Sequence, residues 1–95
     1  MGLFDLFRKR SDADPETERR ERLREIGRIT DGRILENEAA AGGEIVFYIY
    51  SLNGVDFESS ELVSEDRLKD PLKYAPGAKI GVRYDPKNQG NSMLE

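Results

Sequence analysis

Glu44-Ile45-Val46-Phe47-Tyr48-Ile49-Tyr50-Ser51-Leu52-Asn53-Gly54-Val55-Asp56-Phe57-Glu58 is the stretch that decides the fold. From Glu44 to Leu52 it is β-branched and aromatic almost throughout, the composition of a strand. Asn53-Gly54 is a two-residue hairpin signal, because both residues accept the positive φ that the tightest hairpin turns need. After the turn Val55 and Phe57 alternate with Asp56 and Glu58, as in a strand with one wet face, running to about Leu62. The stretch predicts a hairpin.

Strand signals continue on both sides. Downstream, Pro76-Gly77 is a turn, and Ala78 to Tyr84 follows as a strand with Ile80, Val82 and Tyr84 on one face and Lys79 and Arg83 on the other. Asp85-Pro86 stops it, and Ser92–Leu94 forms a short last strand that closes the edge. Upstream, Gly32 to Glu36 reads as the first strand, and Ala39 to Gly43 as a small-residue loop. Between the third and fourth strands, Leu68, Leu72 and Tyr74 around Pro71 suggest a broken helical turn or capping loop. The expectation is a mainly β protein: a small antiparallel barrel of about five strands, OB- or SH3-like, over residues 31–95.

Residues 45–50 are apolar on both faces, with Ile45, Phe47 and Ile49 against Val46, Tyr48 and Tyr50. A barrel strand facing water on one side has no need of this. The pattern predicts that the helix, a terminal segment or a partner covers the outer face, and base rates favour cover from within the chain.

Ahead of the barrel, residues 15–30 read as a charged helix and residues 1–14 as a separate N-terminal segment. Asp14 serves as N-cap, Pro15 as first helical residue and Glu16 as a carboxylate on the positive end of the dipole. Glu16–Arg20 and Glu18–Arg22 stand at the spacing of stabilising pairs. Up to about Ile26 its large apolar residues are Leu23 and Ile26, so a mostly solvated helix should dock its last turn on the barrel.

A chain of 95 residues makes one domain. It has no Cys and no His, which removes disulfides, thiolate chemistry, the usual neutral-pH base and the commonest metal ligand. No cofactor is expected. The net charge of −4 is uneven: residues 1–33 hold nine basic and eight acidic side chains, residues 34–95 six and eleven. An acidic barrel repels phosphate backbones. No apolar run approaches the ~20 residues that span a bilayer, and no signal peptide is visible, so the expected compartment is the cytoplasm.

The spacing of Thr30-x-Gly32-x-Ile34, Phe47-Tyr48-Ile49-Tyr50, Asn53-Gly54-x-x-Phe57 and Pro76-Gly77-x-x-Ile80-x-Val82-x-Tyr84-Asp85-Pro86 resembles a bacterial family, domain of unknown function 3592. That family carries a Y-x-Y-x-x-x-G-x-x-Y/F hairpin, a P-G-x-x-V-x-V-x-Y-D-P ending and an N-P-x-x-S-x-L tail. Here the tail runs Asn88-Gln89-Gly90-Asn91-Ser92-Met93-Leu94, with Gln89 where proline is common. The resemblance covers about residues 30–95. It implies a small β-barrel, often set beside transmembrane helices, and implies no particular activity. This chain departs from it in having a charged helix and a short apolar start instead of such helices.

Few residues invite a chemical role. Tyr84-Asp85-Pro86 reads as a strand terminator, with Asp85 accepting from the amide two residues on. Glu36, Glu38 and Glu44, and likewise Glu61, Glu65 and Asp66, read as solvated charge, because neither group has the order of a calcium loop. Tyr48 and Tyr50 are the candidate barrel-surface contacts, on the analogy of a base-stacking platform. Sparse cations around them argue against nucleic acid. The strongest hint is the start: Leu3, Phe4, Leu6 and Phe7 share one helical face, and Arg8, Lys9 and Arg10 follow. Such a segment suits an anionic membrane surface or a partner's groove; the alternative is a terminal tail. Gly2 is a poor myristoylation site because residue 6 is Leu.

Together these readings predict a non-enzymatic cytoplasmic interaction module, peripheral to the inner membrane face through residues 3–10, with a protein partner. The second reading is a single-stranded nucleic-acid-binding barrel. Monomer and homodimer both fit.

Overall fold

The hairpin forms as its residues dictate: φ is 52° at Asn53 and 82° at Gly54, and Leu52 pairs with Val55. The computed structural model describes residues 15–95, so Leu3, Phe4, Leu6, Phe7, Arg8, Lys9 and Arg10 lie outside the described residues. Helix α1 (Pro15–Ile26) leads into β1 (Arg28–Ala40), β2 (Gly43–Leu52) and β3 (Val55–Ser64). A 3-10 turn (Arg67–Lys69) then precedes β4 (Lys79–Asp85) and β5 (Asn88–Leu94).

The five strands form one sheet in the order β3-β2-β1-β4-β5, with every neighbour antiparallel. The two edge strands, β3 and β5, therefore point the same way. The sheet curls until they come into contact, giving a nearly closed barrel.

Several bounds differ from the sequence expectation. The Gly27 amide closes the last helical turn on the Leu23 carbonyl at 2.8 Å, and the helix goes no further because Arg28 already pairs with Tyr84. Strand β1 is longer than Gly32–Glu36 because it carries ladders on both sides, to β2 and to β4, with a bulge at Leu35. Strand β5 begins at Asn88 because Asp85 pairs directly with Asn88 across a tight Pro86-Lys87 turn. There the Lys87 amide donates to Asp85 Oδ1 at 2.8 Å, the terminator role read from the sequence.

Pro76-Gly77 makes a turn of type II, with φ of 88° at Gly77 and the Ala78 amide donating to the Ala75 carbonyl at 2.9 Å. The turn is pinned to β1 by the Gly77 amide on the Ile34 carbonyl and the Ile34 amide on the Ala78 carbonyl. At the β1-β2 hairpin Gly43 is a close approach to β3. A Cβ there would stand 2.0 Å from the Val63 carbonyl oxygen.

The core lies inside the barrel. Val46, Tyr48, Tyr50 and Leu52 of β2 meet Ile34 and Val82 there, and the loop before β4 sends in Tyr74. Helix α1 lies outside, against β4 and β5. Its Leu23 is buried, as is Met93 on the outward side of β5, and both stand apart from the interior cluster. The last turn docks through Leu23 and through the Arg24 carbonyl, which accepts Arg83 of β4 at 3.3 Å, whereas Ile26 stays 47% exposed.

Candidate interaction surface

Between β3 and β5 the barrel is completed by side chains. Glu61 of β3 alternates in phase with Val63 and points inward, and it is only 7% exposed. Its Oε1 accepts the Leu94 amide of β5 at 2.9 Å. Its Oε2 accepts Arg20 of α1 at 2.5 Å and Arg67 at 2.6 Å. Arg67 also donates to the Leu94 carbonyl at 3.4 Å. One carboxylate thus joins helix, β3, the 3-10 turn and β5.

Further bonds line the same seam. Arg19 donates to Asn91 Oδ1 and to the Ser92 carbonyl, both at 2.7 Å, while its other edge forks onto Glu16 at 2.8 and 3.0 Å. From inside, the Tyr50 hydroxyl donates to the Gln89 carbonyl at 2.6 Å, and the Tyr48 hydroxyl shares a 2.8 Å hydrogen bond with Ser92 Oγ. The contacts to the Leu94 amide and to the Gln89, Ser92 and Leu94 carbonyls give β5 backbone groups side-chain partners in place of an unmade strand ladder.

This geometry corrects two sequence readings. Glu61 is a buried ionic node, not solvated charge, and the helix arginine that meets it, Arg20, stood in the sequence as a partner of Glu16. Tyr48 and Tyr50 are 0% and 2% exposed, so neither is a barrel-surface contact. The register puts them on the inner side of β2, where their hydroxyls find β5. The two rings stack on each other at 6.1 Å, and Tyr50 on Phe57 at 5.4 Å, inside the wall rather than on it.

Burial pushes the Tyr48 phenol above its ordinary value of about 10. The folded state therefore holds that proton more tightly than the unfolded chain. Its contribution is complete below pH 10 and is lost as pH rises from the unfolded value through the folded one. Urea midpoints should fall with rising pH above about pH 10 in the wild type and fall less in Tyr48→Phe. A parallel decline in both chains would contradict it.

The outer side of β2 carries Ile45, Phe47 and Ile49, each partly exposed. Across β1 they face Glu38, Glu36 and Arg33, and across β3 Leu62, Ser60 and Glu58. Leu35 in the bulge and Leu62 are 41% and 53% exposed. The result is an apolar stripe framed by three carboxylates. Among the described residues the helix packs on β4 and β5 instead. At the Ile49 end the stripe opens into a depression of about 500 Å³ whose wall includes Asp31, Arg33, Asp56 and Lys79. Arg33 and Lys79 sit directly opposite each other on β1 and β4, a like-charge pair with no ion-pair partner among the described residues.

No group of three or more acidic side chains among the described residues is arranged to hold a metal ion. No described helix is long and apolar enough to cross a membrane.

Residues 25–95 match the family model for a domain of unknown function, DUF3592. The chain belongs to the DUF3592 family. No curated protein and no solved structure matches it. The DUF3592 match takes in the whole barrel, with Glu61, Arg67 and the outer stripe. Arg19 and Arg20 precede it, so the arginines that complete the seam come from outside the matched residues.

Proposed function

We propose that this DUF3592 chain is a non-enzymatic interaction module whose recognition body is the barrel, of OB type, and whose membrane tether is residues 3–10. The observation that carries the reading is the outward apolar stripe of Ile45, Phe47 and Ile49, with Leu35 and Leu62 beside it, which no helix or strand among the described residues covers. Its frame of Glu36, Glu38 and Glu58 suits an apolar segment carrying cations. The tether rests on Leu3, Phe4, Leu6 and Phe7 followed by Arg8, Lys9 and Arg10, apolar groups for the interface and cations for lipid phosphates. In this reading the chain works in the cytoplasm at the inner membrane face.

Each cation beside an anionic leaflet contributes about 1 kcal/mol, so binding should be weak, reversible and salt-sensitive. Co-sedimentation of the full chain should succeed with phosphatidylserine-containing vesicles and fail with phosphatidylcholine alone. The double variant Phe4→Ser/Phe7→Ser should remain in the supernatant. Sedimentation of that variant at the wild-type level would remove the tether from the reading.

A further inference from the structure

We infer that the first occupant of the outer stripe is the chain's own segment Leu3–Arg10, so that the face and the tether mask each other. The inference rests on the reading above of both as contact surfaces. Helix α1 enters the described structure at the right place. Glu16 in its first turn shares a cleft of about 300 Å³ with Ser60, Glu61 and Leu62 of β3. Leu62 is the outward residue opposite Ile45, at one end of the stripe.

Reach is ample. The eight steps from Pro15 back to Phe7 span up to ~26 Å. Neighbouring strands lie ~4.8 Å apart, and Ile45 to Ile49 is ~13 Å along the strand. In the order of the sequence, a segment laid along the stripe from its Leu62 end would offer Arg10, Lys9 and Arg8 to Glu38 and Glu36 before its apolar residues reached Phe47 and Ile49. Glu36, Glu38 and Glu58 have no ion pair among the described residues and are exposed, so they are open to such cations.

A second copy suits the face less well. A two-fold contact sets the same patch against itself, and here that means three carboxylates against three. A short tether holds its own segment at an effective concentration near the millimolar range, so even a weak contact is populated. Vesicle binding then draws on the released fraction alone.

The chain has no cysteine, so Asp5→Cys in the full-length protein accepts a single nitroxide. In a 15N spectrum without lipid, the amides of Ile45, Phe47, Ile49 and Leu62 should broaden, and those of β4 and β5 should not. Broadening placed elsewhere, or none, overturns the inference while leaving the vesicle result untouched. Broadening seen only when spin-labelled unenriched chain is mixed with 15N chain makes the occupant a second copy and also overturns it. Glu36→Lys/Glu38→Lys, both exposed, should cut the docked-to-free ratio about fivefold. Phe47→Ser should raise affinity for phosphatidylserine vesicles about threefold by freeing the tether. Unchanged affinity with the fold intact excludes mutual masking.

Discussion

Glu61→Ala is expected to lower stability by about 3 kcal/mol, read as a fall in the urea midpoint. The loss comes from what is left behind. Arg20 and Arg67, with side chains 18% and 28% exposed, would keep their charge beside the core without a counter-ion. The Leu94 amide would lose its acceptor, and with it the bond that holds β5 to β3. A domain of this size has only about 4–12 kcal/mol in total, so a large part of its stability hangs on one carboxylate. Glu61→Gln keeps an oxygen for the Leu94 amide and gives up the charge, so it should fall between the two. A wild-type midpoint for Glu61→Ala would mean that the core alone closes the barrel.

Gly43→Ala should be comparably damaging, at about 3 kcal/mol. The offending atom is backbone. The added Cβ would sit 2.0 Å from the Val63 oxygen and 3.0 Å from Ser64 Cα, and neither can swing aside like a side chain. Relief requires β2 and β3 to part at their Gly43–Ser64 end, which strips the register that sets Glu61 opposite Val46. Gly42→Ala, one residue earlier, is the control. A Cβ there meets nothing within 4 Å, so the penalty is confined to its φ of 84° and should be nearer 1 kcal/mol. Equal losses in the two variants would locate the cost in the turn rather than in the approach of the strands.

What the sequence revealed and what it hid follow a physical rule. Asn53-Gly54, Pro76-Gly77 and Asp85-Pro86 were legible because each turn is set by the φ preference or side-chain bond of its own residues. The inward side of β4 was legible too, since Ile80 and Val82 alternate cleanly with Lys79 and Arg83. Strand β2 gave no such phase. With apolar groups on both sides, nothing within it says that Tyr48 points in and Phe47 out; only the pairing with Ile34 on one side and Ser59 on the other decides it. Glu61 was missed because a carboxylate among carboxylates reads as surface charge. The signal lay in its alternation with Val63, whose phase makes it an inward residue. Its partners Arg20 and Leu94 stand 41 and 33 residues away, beyond anything spacing can relate.

The side-chain seam also bears on how this sheet meets other polypeptide. A curled sheet one ladder short of closure offers edge carbonyls to any extended strand, which is how β proteins recruit one another into aggregates. On β5 those of Gln89, Ser92 and Leu94 already accept from Tyr50, Arg19 and Arg67. An incoming strand would have to displace two guanidinium groups that are themselves fastened to Glu16 and Glu61. The seam is thus a guarded edge, closed to strand addition by charge.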